Sequence, residues 1–351
     1  MIRVLADENI ALMEEYQSPD MEFVLRAGRG LRAEDLMNID ALLVRSVTEV
    51  NQQLLQNTPV RFVGSATAGI DHLDINYLNN AGIAYSYAPG SNADSVVDYV
   101  VCCLAAIGRD PQGASIGIIG CGQVGRRLYR RMKALGCECF CYDPFLGEDQ
   151  QADLCELEQV LAADIVSLHT PLTSSGPYPT ENMINMDQLK ELRAGAVLIN
   201  AGRGGVINES ALKDHVLGGA DIQLVFDVWK GEPNIDADLV ELCQISTPHI
   251  AGYAARAKLR GSQMVFEALC QHFALANPLP ASGKPEDADV TKDNQWDSAL
   301  LSVYDPRLDD QRLRANLGDF DQLRKSYPAR SELAEHRSEN KVLQNFGFSK
   351  T

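Results

Sequence analysis

The sequence predicts an α/β protein built on two doubly wound parallel sheets. Short apolar runs that end in polar or small residues recur in residues 1–90 and again in residues 116–246, as buried parallel strands do. Helical patterns fill most of the intervals, which is typical of strand–helix–strand units. A chain of 351 residues is long enough for two or three domains rather than one.

The first series of strands begins at the N-terminus, where Met1–Asp7 enters a strand pattern at once. The apolar runs Ala41–Val44 and Arg61–Gly64 are predicted to be buried parallel strands with loops at their carboxyl ends. A helix is predicted from Asn92 to Arg109, because the sequence after it, Asp110-Pro111-Gln112-Gly113, breaks helices.

The second series begins at residue 116. Its predicted strands are Ile116–Ile119, Glu138–Tyr142, Ile165–Leu168, Ala196–Asn200, Gln223–Phe226 and Gln244–Ser246. One long helix is predicted from Tyr253 to Ala276. The segment Asn277–Asp287 is predicted to be a linker because it is rich in proline and charge.

A glycine loop, Gly120–Gly125, follows the first strand of this second series and leads into a helix that opens at Arg126. In that context its G-x-G-x-x-G spacing predicts a dinucleotide site. The first glycine would make the tight turn, the second would let the backbone approach a pyrophosphate, and the third would let the helix pack close to the strand. Asp143, 18 residues past Gly125, is placed to meet ribose hydroxyls, and its charge favours NAD over NADP.

Three later strand ends each carry an ionisable side chain. Arg203 stands between glycines after one strand, Glu232 follows the next, and His249 follows the last. An arginine can hold a carboxylate through two parallel hydrogen bonds, a histidine can move a proton near neutral pH, and a glutamate can orient that histidine. These are the groups that the oxidation of a hydroxy acid requires, and the glycine loop would hold the hydride acceptor.

Composition excludes several other classes of protein. The formal net charge of −17 disfavours nucleic acid and anionic membranes as partners, and no apolar run is long enough to span a membrane. The nine cysteines lack zinc-type spacing, so we expect no metal and small buried thiols. With no signal-peptide pattern at the N-terminus, the sequence predicts a reduced, cytoplasmic protein.

These motifs resemble those of the D-isomer-specific 2-hydroxyacid dehydrogenases, and the resemblance covers nearly all of residues 1–275. It implies that Arg203, Glu232 and His249 are the catalytic residues. It also implies that a loop at Ala66–His72 binds the substrate carboxylate. The NAD contacts that it implies are Gly120, Gly122, Gln123, Val124, Gly125, Asp143, Thr170, Ala201, Gly202, Arg203, Asp227 and Gly252.

Further strings resemble a branch of this family whose substrate is a 2-hydroxy acid with a terminal phosphate. They are Ala6–Asn9, Val44–Thr48, Ser65–Gly69, His249–Tyr253 and Val303–Asp310. The resemblance implies that Ser46, Thr67 and Tyr253 contact the substrate. Arg45 is our candidate for the phosphate; a salt bridge within the N-terminal domain is the alternative.

The resemblance also implies a domain organisation. Residues 1–92 and 254–276 would form a flavodoxin-like substrate-binding domain, and residues 93–253 would form a Rossmann domain that binds NAD. Residues 277–351 would be a linker and a small C-terminal α+β dimerisation module, which implies a homodimer.

Two alternatives to this function stay open at the level of sequence. The chain could be another member of the family, such as a phosphoglycerate dehydrogenase or a hydroxypyruvate reductase. It could also be a non-catalytic protein that senses NAD, as the transcriptional corepressors of the family do.

Overall fold

The computed structural model describes residues 1–11, 19–277 and 295–350, which form two compact units. The described residues up to Asn92 and those from Ala255 to residue 277 belong to the first unit. Residues 93–254 and the described C-terminal residues belong to the second. The predicted linker, from residue 278 onward, lies outside the described residues.

The first unit contains a five-stranded parallel sheet in the order β2-β1-β3-β4-β5. Its strands are β1 Ile2–Asp7, β2 Met21–Arg26, β3 Ala41–Val44, β4 Phe62–Ser65 and β5 Ala84–Tyr87. Its helices are α1 Gln52–Leu55, α2 Ile75–Ala81 and α9 Ala255–His272, with a short 3-10 turn at Ala33–Leu36.

The second unit contains a six-stranded parallel sheet in the order β11-β10-β9-β8-β6-β7. Its strands are β6 Ser115–Ile119, β7 Glu138–Tyr142, β8 Ile165–Leu168, β9 Ala196–Asn200, β10 Ile222–Phe226 and β11 Ile245–Ser246. The helices that accompany them are α3 Ala93–Ala106, α4 Gln123–Ala134, α5 Leu157–Leu161, α6 Met186–Lys190, α7 Glu209–Leu217 and α8 Ala237–Leu242.

Burial explains why these segments are strands. Every residue of β3, β8 and β9 is buried, as expected where helices cover both faces of a parallel sheet. Because β6 lies between β7 and β8, the connections leave it in opposite directions, and the loop after β6 lies at a topological switch point. Ligands of such sheets bind at the carboxyl ends of the strands beside that point.

The predicted α/β fold with two doubly wound parallel sheets is confirmed, and most differences concern element ends. Helix α4 begins at Gln123, three residues before the predicted start, because Gly122 already forms the N-cap. Helix α9 begins at Ala255 instead of Tyr253, since Ala254 forms a backbone bridge with Arg330. Strands β2 and β5 were not predicted individually.

The C-terminal residues add helices and a small parallel ladder. They form α10 Trp296–Val303, α11 Pro306–Ala315, α12 Phe320–Lys325 and α13 Lys341–Phe346, with β12 Arg337–Ser338 paired to β13 Ser349–Lys350. Short 3-10 turns lie at Leu317–Asp319 and Leu333–Glu335. Ala299, Leu300 and Phe346 join the apolar core around α3, so this α+β segment packs with the second unit.

In the described ranges, no helix has both the length and the apolar character that crossing a bilayer requires. The same residues contain no cluster of three or more potential metal ligands. All nine cysteines are free thiols, and all but Cys155 are buried, as the sequence analysis expected.

Candidate active site

The glycine loop has the backbone that its spacing predicts. Gly120 has φ +88°, and a Cβ there would lie 2.9 Å from Thr170 Cγ2, so only glycine fits. A Cβ on Gly125 would lie 2.1 Å from the carbonyl oxygen of Gly120, so the third glycine allows close packing of α4. At Gly122 no heavy atom lies within 4 Å of the corresponding position, which leaves space beside the backbone.

Asp143 lies at the end of β7 and is tied directly to this loop. Its Oδ2 accepts a hydrogen bond from the backbone N–H of Cys121 at 2.9 Å, and its Oδ1 accepts one from Phe145 at 3.1 Å. The carboxylate is therefore fixed beside the glycine loop, where it was expected.

The next strand end, after β8, closes the other side of the loop. The buried Thr170 Oγ1 has no hydrogen-bond partner within the described chain, and a Cβ on Gly202 would lie 3.1 Å from the Thr170 carbonyl oxygen. Burial lowers the pKa of the neighbouring His169 to about 3, so its ring is neutral. His169 Nε2 is 2.9 Å from Ser167 Oγ.

These features fit a bound dinucleotide. The N-terminal N–H groups of the twelve-residue helix α4 open onto the space beside Gly122, where a pyrophosphate would be stabilised. Gln123 and Val124 form the first turn of that helix. The unpartnered hydroxyl of Thr170 offers a further hydrogen bond.

Arg203 follows β9 in a tight stretch of backbone. Its Nη1 donates a hydrogen bond to the Gly202 carbonyl at 2.8 Å, and its own carbonyl accepts one from Asn200 Nδ2 at 3.1 Å. A Cβ on Gly204 would lie 2.0 Å from the carbonyl of Trp229, so glycine permits the chain to pass this close. Ala201 and Arg203 are half-buried.

Glu232 and His249 are paired as the sequence predicted. His249 Nδ1 lies 2.7 Å from Glu232 Oε2, and Glu232 Oε1 accepts a hydrogen bond from the Trp229 N–H at 2.9 Å. The His249 side chain is 30% exposed and the Glu232 side chain is 20% exposed. Burial raises the pKa of the Glu232 carboxyl, whereas the charge of His249 and the hydrogen bond with it lower that pKa. The lowering is the larger effect, so the pKa of Glu232 lies below its ordinary value.

Asp227 holds the loop that carries His249, residues 247–254, which we call the histidine loop. Its Oδ1 accepts hydrogen bonds from Thr247 Oγ1 at 2.6 Å and from the Ile250 N–H at 2.7 Å. Its Oδ2 accepts one from the Ala251 N–H at 2.9 Å. These hydrogen bonds and the charge of His249 lower the pKa of the Asp227 carboxyl. Burial raises it by more, so the pKa lies above its ordinary value.

His249 itself has a left-handed backbone, with φ +55°. Its N–H donates to the Asp227 carbonyl at 2.7 Å, which fixes this uncommon conformation. The tight turn continues to Gly252, which is followed by Tyr253. The loop is therefore rigidly held at the point where it presents the imidazole.

Tyr253 packs against the C-terminal segment. Its ring is 5.8 Å from that of Tyr327 in an edge-to-face arrangement, and the guanidinium of Arg324 lies 5.7 Å from its centre. Neither contact was predicted.

The remaining predicted residues belong to the first unit. Arg45 Nε lies 3.2 Å from Oδ1 of the buried Asp7, so the alternative reading, a salt bridge within this unit, is what the structure contains. Ser46 is exposed. Thr67 Oγ1 lies 2.6 Å from Ser65 Oγ and donates to the Gly69 carbonyl at 2.8 Å, which fixes the loop after β4.

Two residues that support Thr247, at the start of the histidine loop, were not predicted from the sequence. Tyr99 OH lies 2.8 Å from Thr247 Oγ1, and Trp229 Nε1 donates to the Thr247 carbonyl at 3.0 Å. Both are ordinary apolar residues in the sequence, without a motif. The distance along the chain from Tyr99 to Thr247, 148 residues, leaves no local signal for their contact.

Comparisons with known proteins agree with this geometry. The family described as "D-isomer specific 2-hydroxyacid dehydrogenase, NAD binding domain" matches residues 104–251. A family described only as a domain of unknown function (DUF3410) matches residues 285–345.

Curated relatives match over nearly the full length. The chain is 42% identical to an erythronate-4-phosphate dehydrogenase of Teredinibacter turnerae, over 96% of this chain and 94% of the relative. It is 42% identical to the protein of the same name from Cellvibrio japonicus, with the same coverage.

Solved structures show the same fold. D-lactate dehydrogenase from Aquifex aeolicus, complexed with NAD and lactic acid, has a TM-score of 0.66 and 22% identity over 78% of this chain and 95% of its own. The NAD-bound 3-phosphoglycerate dehydrogenase of Entamoeba histolytica has a TM-score of 0.66 and 21% identity, over 78% and 95%.

The glycine loop, the Glu232–His249 pair and the near full-length identity to named dehydrogenases agree with one another. The chain is an NAD-dependent oxidoreductase. It belongs to the D-isomer specific 2-hydroxyacid dehydrogenase family, in the branch of the erythronate-4-phosphate dehydrogenases.

Proposed function

We propose that this chain oxidises 4-phospho-D-erythronate at C2 to 3-hydroxy-2-oxo-4-phosphooxybutanoate, with NAD as acceptor, in the biosynthesis of pyridoxal 5′-phosphate (vitamin B6). The observation that carries this proposal is 42% identity to erythronate-4-phosphate dehydrogenases over 96% of the chain. The Glu232–His249 pair supplies the proton chemistry that such an oxidation needs.

His249 is the proposed general base. Glu232 engages Nδ1, which leaves Nε2 to accept the proton of the C2 hydroxyl as hydride leaves C2. The carboxylate fixes the tautomer and stabilises the imidazolium that forms, and the low pKa of Glu232 keeps it ionised for this role.

Arg203 is the proposed clamp for the C1 carboxylate and the C2 oxygen. A guanidinium can hold a carboxylate through two hydrogen bonds and can stabilise negative charge on C2 oxygen in the transition state. The glycines on both sides of Arg203 let its backbone pass close to Thr170 and Trp229.

NAD accepts the hydride when bound. The glycine loop, the first turn of α4 and Thr170 would hold its pyrophosphate, and Asp143 would bind the ribose hydroxyls. The carboxylate of Asp143 would repel a 2′-phosphate, which favours NAD over NADP. Asp227, Ala201, Gly202 and Gly252 complete the proposed cofactor contacts.

The predicted substrate-binding domain, residues 1–92 and 254–276, is proposed to contribute substrate contacts through Ser46, Thr67 and Arg45, and Tyr253 is proposed to add a hydroxyl. Arg45 keeps a positive charge beside Asp7, so the salt bridge leaves the phosphate role open. Replacing Arg45 with Ala should raise KM more for phosphorylated than for unphosphorylated substrates. An equal rise for both would remove that role, and Arg61→Ala, in a separate pair with Asp40, is the control.

A screen of 2-hydroxy acids with and without a terminal phosphate, read by NADH absorbance, tests the function directly. We expect the highest kcat/KM with 4-phospho-D-erythronate. A higher kcat/KM with 3-phosphoglycerate or with a hydroxypyruvate-derived acid would instead assign one of the other family activities. NAD binding without turnover of any acid would favour the sensor.

Two further proposals concern the oligomeric state and the location of the protein in the cell. We propose a homodimer formed through residues 277–351, which sedimentation velocity of the full chain tests. A cytoplasmic location is supported by nine free thiols, since oxidising compartments favour disulfides.

A further inference from the structure

The C-terminal segment is in direct contact with the histidine loop of the same chain. We call residues 305–330 of that segment the C-terminal clamp. Asp310 Oδ1 accepts a hydrogen bond from the Ser246 N–H at 2.7 Å, just before the loop. Arg330 forms a backbone bridge with Ala254 at its other end. The clamp therefore holds the histidine loop at both ends.

Arg330 ties the middle of the loop as well. Its side chain is 7% exposed, lies 4.2 Å from the centre of the Tyr304 ring, and donates Nη2 to the carbonyl of Ala251. The N–H of Ala251 donates in turn to Asp227. Ala251 is thus hydrogen-bonded to the buried Asp227 through its N–H and to the C-terminal clamp through its carbonyl.

Among the described residues of the clamp, Arg324 has few hydrogen-bond and ion-pair partners for its guanidinium. Its side chain is 17% exposed, and the carboxylate on its own helix, Asp321, is 3.9 Å away. Its Nε is buried without a hydrogen-bond partner among the described residues. The guanidinium lies over the rings of Tyr253 and Phe320. A half-buried cation that is so weakly paired is costly unless other contacts stabilise it.

The charge of Arg324 acts on Glu232, whose carboxyl pKa it helps to lower. Asp227 interacts electrostatically with His249, and Glu209 does so with Glu232. The C-terminal segment thus contacts Tyr253 through Arg324, whose charge also acts on Glu232.

We propose that the C-terminal clamp is a working part of its own chain's catalytic site, in which Arg324 is a positioning residue that holds Tyr253 at the end of the histidine loop. This inference rests on the proposed function of the Glu232–His249 pair. It gives the segment matched by the domain of unknown function a catalytic role within one chain, separate from any role in dimerisation.

The test compares three variants of the full chain. Arg324→Gln removes the charge, Arg324→Lys keeps the charge without the planar group, and Lys325→Gln changes an exposed neighbour on the same helix as the control. In Arg324→Gln we expect kcat/KM to fall about 10-fold, mainly through a higher KM for the substrate, because the contact that holds Tyr253 is lost.

Arg324→Lys should leave KM for the substrate raised, since the contact between the planar guanidinium and Tyr253 is lost. Lys325→Gln should behave as wild type. Wild-type KM and kcat/KM in Arg324→Gln would overturn the proposal. If Arg324→Gln does not fold, Arg324→Lys decides: wild-type kcat and KM there would overturn it.

A second readout separates this inference from the proposed function. NMR spectra of the NAD-free protein report on the ring of Tyr253 without turnover, and Arg324→Gln should shift its resonances because the guanidinium no longer lies over that ring. Unchanged Tyr253 resonances would contradict the inference. Failure of the wild type to oxidise any 2-hydroxy acid would contradict the proposed function and leave the NMR result standing.

Discussion

The glycine loop and the histidine loop lie at strand ends of one sheet, yet they are held in different ways. The glycine loop is fixed by contacts with Thr170 and Asp143, which lie within 50 residues along the chain. The histidine loop is fixed by Asp227, Tyr99 and the C-terminal clamp, with Tyr99 148 residues before Thr247 and Arg330 79 residues after Ala251.

The difference shows what each loop needs. A pyrophosphate requires backbone N–H groups and free space, which glycines provide locally. A histidine that transfers a proton requires a fixed side chain, and this demands hydrogen bonds and packing from several directions. Long-range contacts therefore accumulate on the histidine loop.

The largest expected effect separates the two loops. His249→Ala should lower kcat by about 10²- to 10⁴-fold, because the general base is lost. NAD affinity should stay within a few-fold of wild type, since the glycine loop is unchanged. Steady-state kinetics and NAD titration by fluorescence check both; near-normal turnover would refute the assignment of His249.

A substitution far along the chain tests whether the C-terminal clamp stabilises the histidine loop. Arg330→Met removes the donor to Ala251 and should lower the free energy of unfolding by about 1–3 kcal/mol and reduce kcat. Arg307→Met is the control, because Arg307 is 49% exposed and pairs locally with Asp305. Thermal unfolding and kinetics that match wild type in Arg330→Met would show that the histidine loop keeps its conformation without the hydrogen bond from Arg330.

A matched pair of glycine substitutions tests the other loop. Gly125→Ala places a Cβ 2.1 Å from a backbone oxygen and should destabilise the fold by about 1–3 kcal/mol. Gly122→Ala meets no heavy atom within 4 Å, so its stability should change little while NAD binding weakens. Equal losses of melting temperature in both variants would contradict this local account.

Between pH 7.5 and 5.5, a small pH dependence of stability is expected beside the glycine loop. The folded-state pKa of His169 is lowered to about 3 by burial, whereas the unfolded chain takes up a proton near pH 6.5. Its contribution to stability is therefore complete above pH 6.5 and is lost as the pH falls towards 3, by up to about 1.4 kcal/mol per unit.

His169→Gln should accordingly lose less melting temperature than wild type between pH 7.5 and 5.5. His215→Gln, in the last turn of α7, serves as the control and should follow wild type. Parallel curves for wild type and His169→Gln would mean that His169 is not buried neutral.

The sequence predicted the strands that bear the site more accurately than the helix ends. Ala41–Val44, Glu138–Tyr142, Ile165–Leu168 and Ala196–Asn200 match the structure at both ends, because buried parallel strands are continuous apolar runs. Helix α9 begins two residues later than predicted, since Ala254 pairs with Arg330, a contact that no local pattern encodes.

By itself, the sequence predicted the two parallel sheets, the shape of the glycine loop and the positions of Arg203, Glu232 and His249 at strand ends. These follow from local rules: period, glycine conformational freedom and the chemistry of residues at strand ends. Tertiary structure alone decided that Asp227 and Arg330 hold the histidine loop and that Arg324 contacts Tyr253. Such contacts join residues far apart in the chain, and only folding brings them together.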